Sequence, residues 1–527
     1  MKEKLENLIK EALKSLGLEA GDFVVEHPSD LKMGDYSTNV GIKTGKAKEI
    51  LAHLDTACPS GVERVELAGP GFINFYLSKD FFKKSLEEII EKGDEFGKNE
   101  NLKGKKFFVE HTQPNIFKEF HIGHLMNNTI GESISRIIKM NGAEVKTASY
   151  HGDIGLHVAK AVWAILKNHT GNSYVIGNKA YEEDGGAKIE IQEINKKIYE
   201  RSDEKINKIY DSGRKESLRR FESIYQRLNT NFDYSFFESE SGELGRELVL
   251  EFLKKGIFEK SEGAVVFKGE KFGLHTRVFL NSEGLPTYEA KEVGLVKIKK
   301  ETYPFDQSIT ITANEQDAFF KVVEIAAGEV FSELKGKLKH LSHGVLRLPT
   351  GKMSSRTGDV ITAEQLIEEV KKRVKDNEAV AIGAIKYMIL RQAIGNDIIF
   401  DIERSVSTEG DSGVYLQYAY ARTNSLLEKA NAQGLTLGSE TLRNTHEVER
   451  LLYRFPEVVE KAGKEYAPHY IVTYLTELAG SFNNFYAHEQ IIDDSPESPY
   501  RLAIAKAFNI VMKNGLTVLG IPTPERI

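Results

Sequence analysis

The sequence predicts a multidomain α/β protein. It would consist of an N-terminal α/β module, a doubly wound parallel-sheet domain and an all-helical C-terminal bundle. Three observations carry this expectation. A chain of 527 residues is too long for one core. Between about 105 and 165 the pattern runs strand, loop, helix, strand: KKFFVEH, HTQPN, HIGHLMNNTIGESISRIIKMNG, AEVKTASYHGD. That order opens a parallel, crossover-connected sheet. Beyond about 385 the apolar spacing turns helical, with Ile471, Tyr474, Leu475, Leu478, Phe482 and Phe485 on one face.

The N-terminal stretch MKEKLENLIKEALKSLGLEA reads as an amphipathic helix. A turn-rich HPSDLKMGDYSTN follows, and then VERVELAGPGFINFYLS, which alternates like two strands around Gly-Pro-Gly. Residues 1–100 are therefore expected as a separate module, with EEIIEKGDEFGKNENLKGKK leading out of it. The parallel-sheet domain is expected over 105–380. Its charged stretch at about 170–230 suggests inserted long helices, and strand-like GAVVFKG, RVFLNS and SITITAN come after it. Residues 385–527 complete the chain as the helical bundle.

Composition narrows the classes. The content is 40% hydrophobic and 28% charged, ordinary for a globular protein. A lone Cys58 excludes an intrachain disulfide framework and a multi-cysteine zinc site, as expected for a reducing cytosol. No apolar run approaches the roughly 18 residues of a membrane span, and the N-terminus lacks a signal-peptide core, so a cytoplasmic protein is expected. The net charge of −7 argues against indiscriminate coating of nucleic acid. VKIKK (296–300) and KKRVK (371–375) are candidate basic surfaces for a structured RNA, or simply solvated helix faces.

Two short motifs carry the chemistry. His121-Ile122-Gly123-His124 follows the apolar FFVEH, and GKMSSRTG lies about 230 residues later. Histidines at i and i+3 on a first helical turn point the same way, beside unpaired N–H groups that favour phosphate. Gly123 leaves room for a flat base or sugar. The HxxH spacing is not that of a zinc protease, which needs i, i+4 and an intervening acid. Lys352 and Ser354 stand in a hydroxyl-rich loop between glycines, suited to gripping and releasing pyrophosphate. Together the pair reads as a split site for ATP.

These residues resemble class I aminoacyl-tRNA synthetases, whose signatures are HIGH and a KMSKS-like loop. The finer matches resemble the arginyl-tRNA synthetase family over nearly the whole chain. They are PNIFKEFHIGH, the early GDYSTN and GPGFINF, YHGDIG, GVYLQYAYAR and the closing LGIPTPERI. The resemblance implies a Rossmann-like catalytic domain flanked by an additional N-terminal tRNA-binding domain and a helical anticodon-binding bundle. It implies arginine, ATP with Mg²⁺ and tRNA(Arg) as substrates, with no tightly bound cofactor and no structural zinc. Catalytic and ATP-binding roles would fall on Lys118, His121, Gly123, His124, Lys352 and Ser354. Arginine would be read by Glu110, Asn115, Glu238, Tyr288, Glu292 and Gln316, and tRNA by Tyr415, Tyr418 and Arg422. Carboxylates and amide oxygens suit a planar guanidinium with five donors. If TYEAKE is helical, Tyr288 and Glu292 share one face.

The chain departs from the family pattern in places. Glu292 replaces the usual Asp, Met126 an arginine, and Ile154 a frequent tryptophan. Ser355 stands at the second lysine of KMSKS, and Lys118, just upstream of HIGH, is positioned to supply that charge. The expectation is a monomeric arginine–tRNA ligase. A glutamyl enzyme would need a cationic pocket, and a cysteinyl enzyme a zinc-binding cysteine set. An RNA-binding relative without catalysis would not need intact HIGH and Lys352.

Overall fold

The computed structural model describes residues 1–19, 21–349, 361–438 and 444–527. At the N-terminus, the helix Lys2–Ser15 buries Leu5, Leu8, Ile9, Ala12 and Leu13, its one apolar stripe. They pack on a four-stranded antiparallel sheet ordered Val25–Glu26, Tyr36–Thr38, Phe72–Leu77, Val62–Ala68. The last two strands form the hairpin expected from VERVELAGPGFINFYLS, and Gly69 and Gly71 take the positive φ its tight turn requires. The helix Lys79–Lys92 leads out, capped by the Ser78 hydroxyl, which accepts from the Phe81 N–H. The module docks on the C-terminal helices through buried polar contacts. Arg450 donates to Asp35 at 2.7 Å, and the Tyr36 hydroxyl donates to Glu457 at 2.5 Å.

The central sheet has five parallel strands. In sequence order they are the first, Lys106–Glu110, the second, Glu144–His151, the third, Tyr234–Phe237, the fourth, Gln307–Ala313, and the fifth, Leu338–His343. Across the sheet they run fifth, fourth, first, second, third. The direction of winding reverses between the first and fourth strands, and ligands of such sheets bind beyond the carboxyl ends at that reversal.

The helix Ile122–Met140 joins the first and second strands. It is buried nearly all round, its Ile and Leu residues sharing the main core with the C-terminal helices. The expected insertion is three helices, Ser173–Glu183, Gly185–Glu200 and Glu204–Arg227. Of the strand-like segments after it, only SITITAN enters the parallel sheet. Ala264–Phe267 and Arg277–Leu280 join Glu259–Ser261 in a small antiparallel sheet of their own, because short turns connect them.

The helices Glu238–Lys254 and Tyr288–Thr302 pack backbone to backbone. A Cβ on Gly245 would lie 1.9 Å from the Ala290 carbonyl oxygen, and one on Gly294 1.9 Å from that of Ser241. Only glycine fits at either contact.

The C-terminal part is helical, and Ile471, Tyr474, Leu475, Leu478, Phe482 and Phe485 are all buried on the helix His469–His488. The helix Glu378–Leu390 spans the boundary expected at 385, and its core is continuous with both sides. Here the buried Lys386 donates to the carbonyls of Leu228 and Gly520, at 2.7 and 2.8 Å. Arg136, on the helix Ile122–Met140, donates to the carbonyls of Thr517 and Asn229, at 3.0 and 2.9 Å. Two basic side chains thus tie the end of the insertion to the end of the last helix, Ser498–Val518.

Several cations of the two basic runs are paired with acids. Lys299 is buried against Glu110, and Lys300 pairs with Glu333. Lys371 pairs with Glu378, Lys372 with Glu369, and Arg373 with Glu369 and Glu403. Among the described residues, no helix is long and apolar enough to cross a membrane.

Candidate active site

The site is built where the sheet reverses. Past Glu110 the chain crosses a loop in which Thr112, Gln113 and Phe117 all take positive φ. It then enters the helix Ile122–Met140 at His121. The two histidines cap that helix reciprocally. His121 Nδ1 accepts from the Gly123 N–H at 3.1 Å, and His124 Nδ1 accepts from the His121 N–H at 3.2 Å. The rings stack with centroids 3.7 Å apart.

Because each Nδ1 is an acceptor, the proton of each neutral ring sits on Nε2, and Nε2–H is the group left to donate. Burial, with Lys118 adding repulsion, holds the His121 imidazole down at about 4. Burial, then His121 and Lys118, hold His124 well below its ordinary value. Both rings are therefore neutral donors at pH 7. The space freed by Gly123 belongs to the His121 ring, since a Cβ there would lie 2.9 Å from it. That is a more local reason for the glycine than room for a base.

After the segment bearing Lys352 and Ser354, which lies outside the described residues, the chain returns directly onto this motif. The Ile122 N–H donates to Ile361, the Ala363 N–H donates to Phe120, and His121 forms a bridge with Thr362. Lys118 lies over the Tyr174 ring, 4.5 Å from its centroid, and its charge reaches His121, His124 and Glu238.

The expected arginine-reading residues arise from separate elements. Glu110 ends the first strand and is fully buried. It accepts from Gln113 at 2.5 Å and is paired with Lys299. Glu238 opens the helix Glu238–Lys254 and is paired with Lys291 at 2.6 Å. Asn115 and Glu238 meet at Gly152. A Cβ on that residue would lie 2.0 Å from Asn115 Oδ1 and 3.2 Å from Glu238 Oε1. TYEAKE is helical, which meets the condition under which Tyr288 and Glu292 stand one turn apart, and Tyr288 begins that helix, exposed. Burial, reinforced by the Glu110 charge, pushes the Glu292 carboxyl well above the usual carboxylate range. Gln316 lies exposed just past the fourth strand.

Sequence reasoning missed three members of this cluster. Lys299 sits in a run read as a surface, and Lys291 sits inside the quoted TYEAKE. Asp153 of YHGDIG is the third. It is fully buried and accepts from the Ser239 N–H at 2.9 Å, the Ser239 hydroxyl at 2.8 Å and Arg214 at 3.1 Å. It thereby fixes the start of the Glu238 helix to the inserted helix Glu204–Arg227.

In the helical part, Tyr418 and Arg422 are exposed one turn apart on the helix Gly413–Ala432. The Arg422 guanidinium lies 3.9 Å from the Tyr486 ring centroid. Tyr415 is half-buried, its hydroxyl accepting from Asn483 at 2.8 Å.

Three family models match in succession. They are an arginyl-tRNA synthetase N-terminal domain over 3–77, a class I (R) tRNA synthetase catalytic domain over 85–402 and a DALR anticodon-binding domain over 416–527. The chain is 31% identical to the arginine–tRNA ligase of Borrelia hermsii and 30% identical to that of Halothermothrix orenii. Each alignment covers 100% of this chain and 99% of the relative. Among solved structures, the Thermus thermophilus arginyl-tRNA synthetase aligns over the full length of both chains, with a TM-score of 0.76 and 25% identity. The Plasmodium falciparum arginyl-tRNA synthetase shares the fold at a TM-score of 0.79 and 20% identity. Matched by three successive models of that family and aligned end to end with relatives at this identity, the chain belongs to the arginyl-tRNA synthetase family.

Proposed function

We propose that this protein ligates L-arginine to its tRNA through an arginyl-adenylate. In the first step a carboxylate oxygen of arginine attacks the α-phosphorus of ATP, and the bond to pyrophosphate breaks. In the second, a hydroxyl of the tRNA's terminal ribose attacks the arginyl carbonyl, and AMP leaves. Neither step needs a covalent enzyme nucleophile, so the protein's work is positioning and stabilising charge.

The observation that carries this reading is the pair of Nε2–H donors at a helix N-terminus beyond the carboxyl ends of the sheet. His121 and His124 would donate to triphosphate oxygens, with Lys118 and Lys352 supplying positive charge and Gly123 and Ser354 completing the ATP site. Mg²⁺ accompanying ATP neutralises part of the phosphate charge. Glu110, Asn115, Glu238, Tyr288, Glu292 and Gln316 would hold arginine. The reading also takes the protein to be a cytoplasmic monomer, which sedimentation would test.

Pyrophosphate exchange with arginine, with and without tRNA, tests the activity. Arginine-dependent exchange supports ligation, and its absence in both conditions supports a non-catalytic RNA-binding relative. Tyr418, Arg422 and the half-buried Tyr415 are the proposed tRNA contacts on the helical domain. A stacked base contributes about 1–3 kcal/mol, so Tyr418→Ala should weaken tRNA binding roughly fivefold or more while leaving the arginine KM in place. Filter binding with labelled tRNA reads this directly.

A further inference from the structure

The three acids of the proposed arginine pocket are not equivalent. Glu110 is matched by Lys299 and Glu238 by Lys291, while Glu292 forms no ion pair among the described residues. The pair of Glu238 and Lys291 is buried, each residue 6% exposed, inside a pocket read as a receptor for a cation. A second cation in that place calls for a reason.

The geometry supplies one. Lys291 takes only Glu238 Oε2, and Oε1 faces Gly152 beside Asn115 Oδ1. The lysine is itself held. It lies on the helix Tyr288–Thr302 one residue before Glu292, with the Tyr288 ring centroid 5.1 Å from its ammonium and Tyr199 of the insertion against it. The helix bearing Lys291 lies close against the one bearing Glu238, because Gly245 and Gly294 let their backbones come into contact.

We propose that Lys291 is a positioning residue for substrate arginine, fixing the Glu238 carboxylate so that Oε1 alone is presented to the guanidinium. This rests on Glu238 lining the arginine pocket. A buried carboxylate without a partner takes up a proton and becomes a donor, useless to a guanidinium. Burial already raises Glu238 above its ordinary value, with Lys291 opposing that rise. Removing the ammonium removes the main force that keeps the carboxylate charged. The other groups facing Glu238 are Asp153 and Tyr150 from the second strand and its loop, Glu292 and Tyr288 from the facing helix, Lys118 and Tyr199. Of these only Lys118 is cationic. Arginine then meets two carboxyls of different kind, a fixed and charged oxygen of Glu238, and Glu292, which must first give up its proton.

The test compares Lys291→Met, Lys291→Arg, Glu238→Gln and the Lys291→Met/Glu238→Gln double variant by arginine-dependent pyrophosphate exchange across pH. Lys291→Met should raise the arginine KM about tenfold or more at pH 7, and the deficit should shrink toward pH 9 as Glu238 ionises unaided. Lys291→Arg should recover most of the loss. The double variant should be no worse than Glu238→Gln, whose deficit should not vary with pH over that range. A Lys291→Met deficit that is flat with pH, or a lowered KM from a lysine that merely blocks the site, overturns the proposal. An unchanged KM in Glu238→Gln overturns the pocket reading itself, which separates the two failures.

Discussion

Glu292 and Glu238 make different demands on the same substrate, and residue-level measurements separate them. Glu238→Gln removes a charged hydrogen bond of about 1.5–3 kcal/mol, so kcat/KM for arginine should fall roughly tenfold or more. Arginine should remain far better activated than lysine, whose ammonium is a point charge that cannot span two acceptors. Equal activation of lysine in the wild-type protein would sink the assignment. Glu292, held above the usual carboxylate range, must lose its proton to receive a cation. The arginine KM should therefore fall as pH rises between about 6 and 8, and Glu292→Gln should flatten that profile. The histidines stood out in the sequence because a short motif carries them, whereas the acids were proposed only through the family resemblance. Lys291 and Lys299 were not legible. Their partners are Glu238, 53 residues from Lys291, and Glu110, at the end of the first parallel strand, and no spacing rule joins them.

Among the elements, the helix pair that carries Glu238 and Glu292 depends on glycine at its contact. Gly294→Ala would force the backbones apart, at about 1–3 kcal/mol by analogy with overpacked cores. A lower melting temperature with a raised arginine KM is expected. Gly152→Ala should act more selectively, because its Cβ meets the side chains of Asn115 and Glu238. Comparing the two variants by calorimetry and exchange kinetics separates strain from loss of site geometry. Long periodic elements were readable, and the helices Lys2–Ser15 and His469–His488 fall where apolar spacing put them. The third parallel strand is only four residues, Tyr234–Phe237, and gives no periodic signal above its surroundings. GAVVFKG was readable as a strand, but which sheet it joins depends on contacts the local pattern does not encode.

For the whole molecule, stability should fall with acidification for a definable reason. Burial holds His111 and His151 at about 4, so both are neutral when folded and bind protons more readily when unfolded. Their stabilisation is intact above the unfolded value of about 6.5 and is lost as pH falls toward about 4, by up to roughly 3 kcal/mol each. Urea midpoints measured at pH 7 and pH 5 check the sign, and an unchanged midpoint would count against it. The junction between the catalytic and helical parts responds to a different variable. Arg136 and Lys386 reach across it to backbone carbonyls, which are dipoles at short range, and Lys386 does so fully buried. Mobile ions screen exposed charges over a Debye length of about 8–10 Å and screen buried contacts far less. Phosphate contacts to tRNA, by contrast, weaken steeply with salt. Ionic strength thus becomes a knife that cuts RNA away from the enzyme while leaving its halves joined.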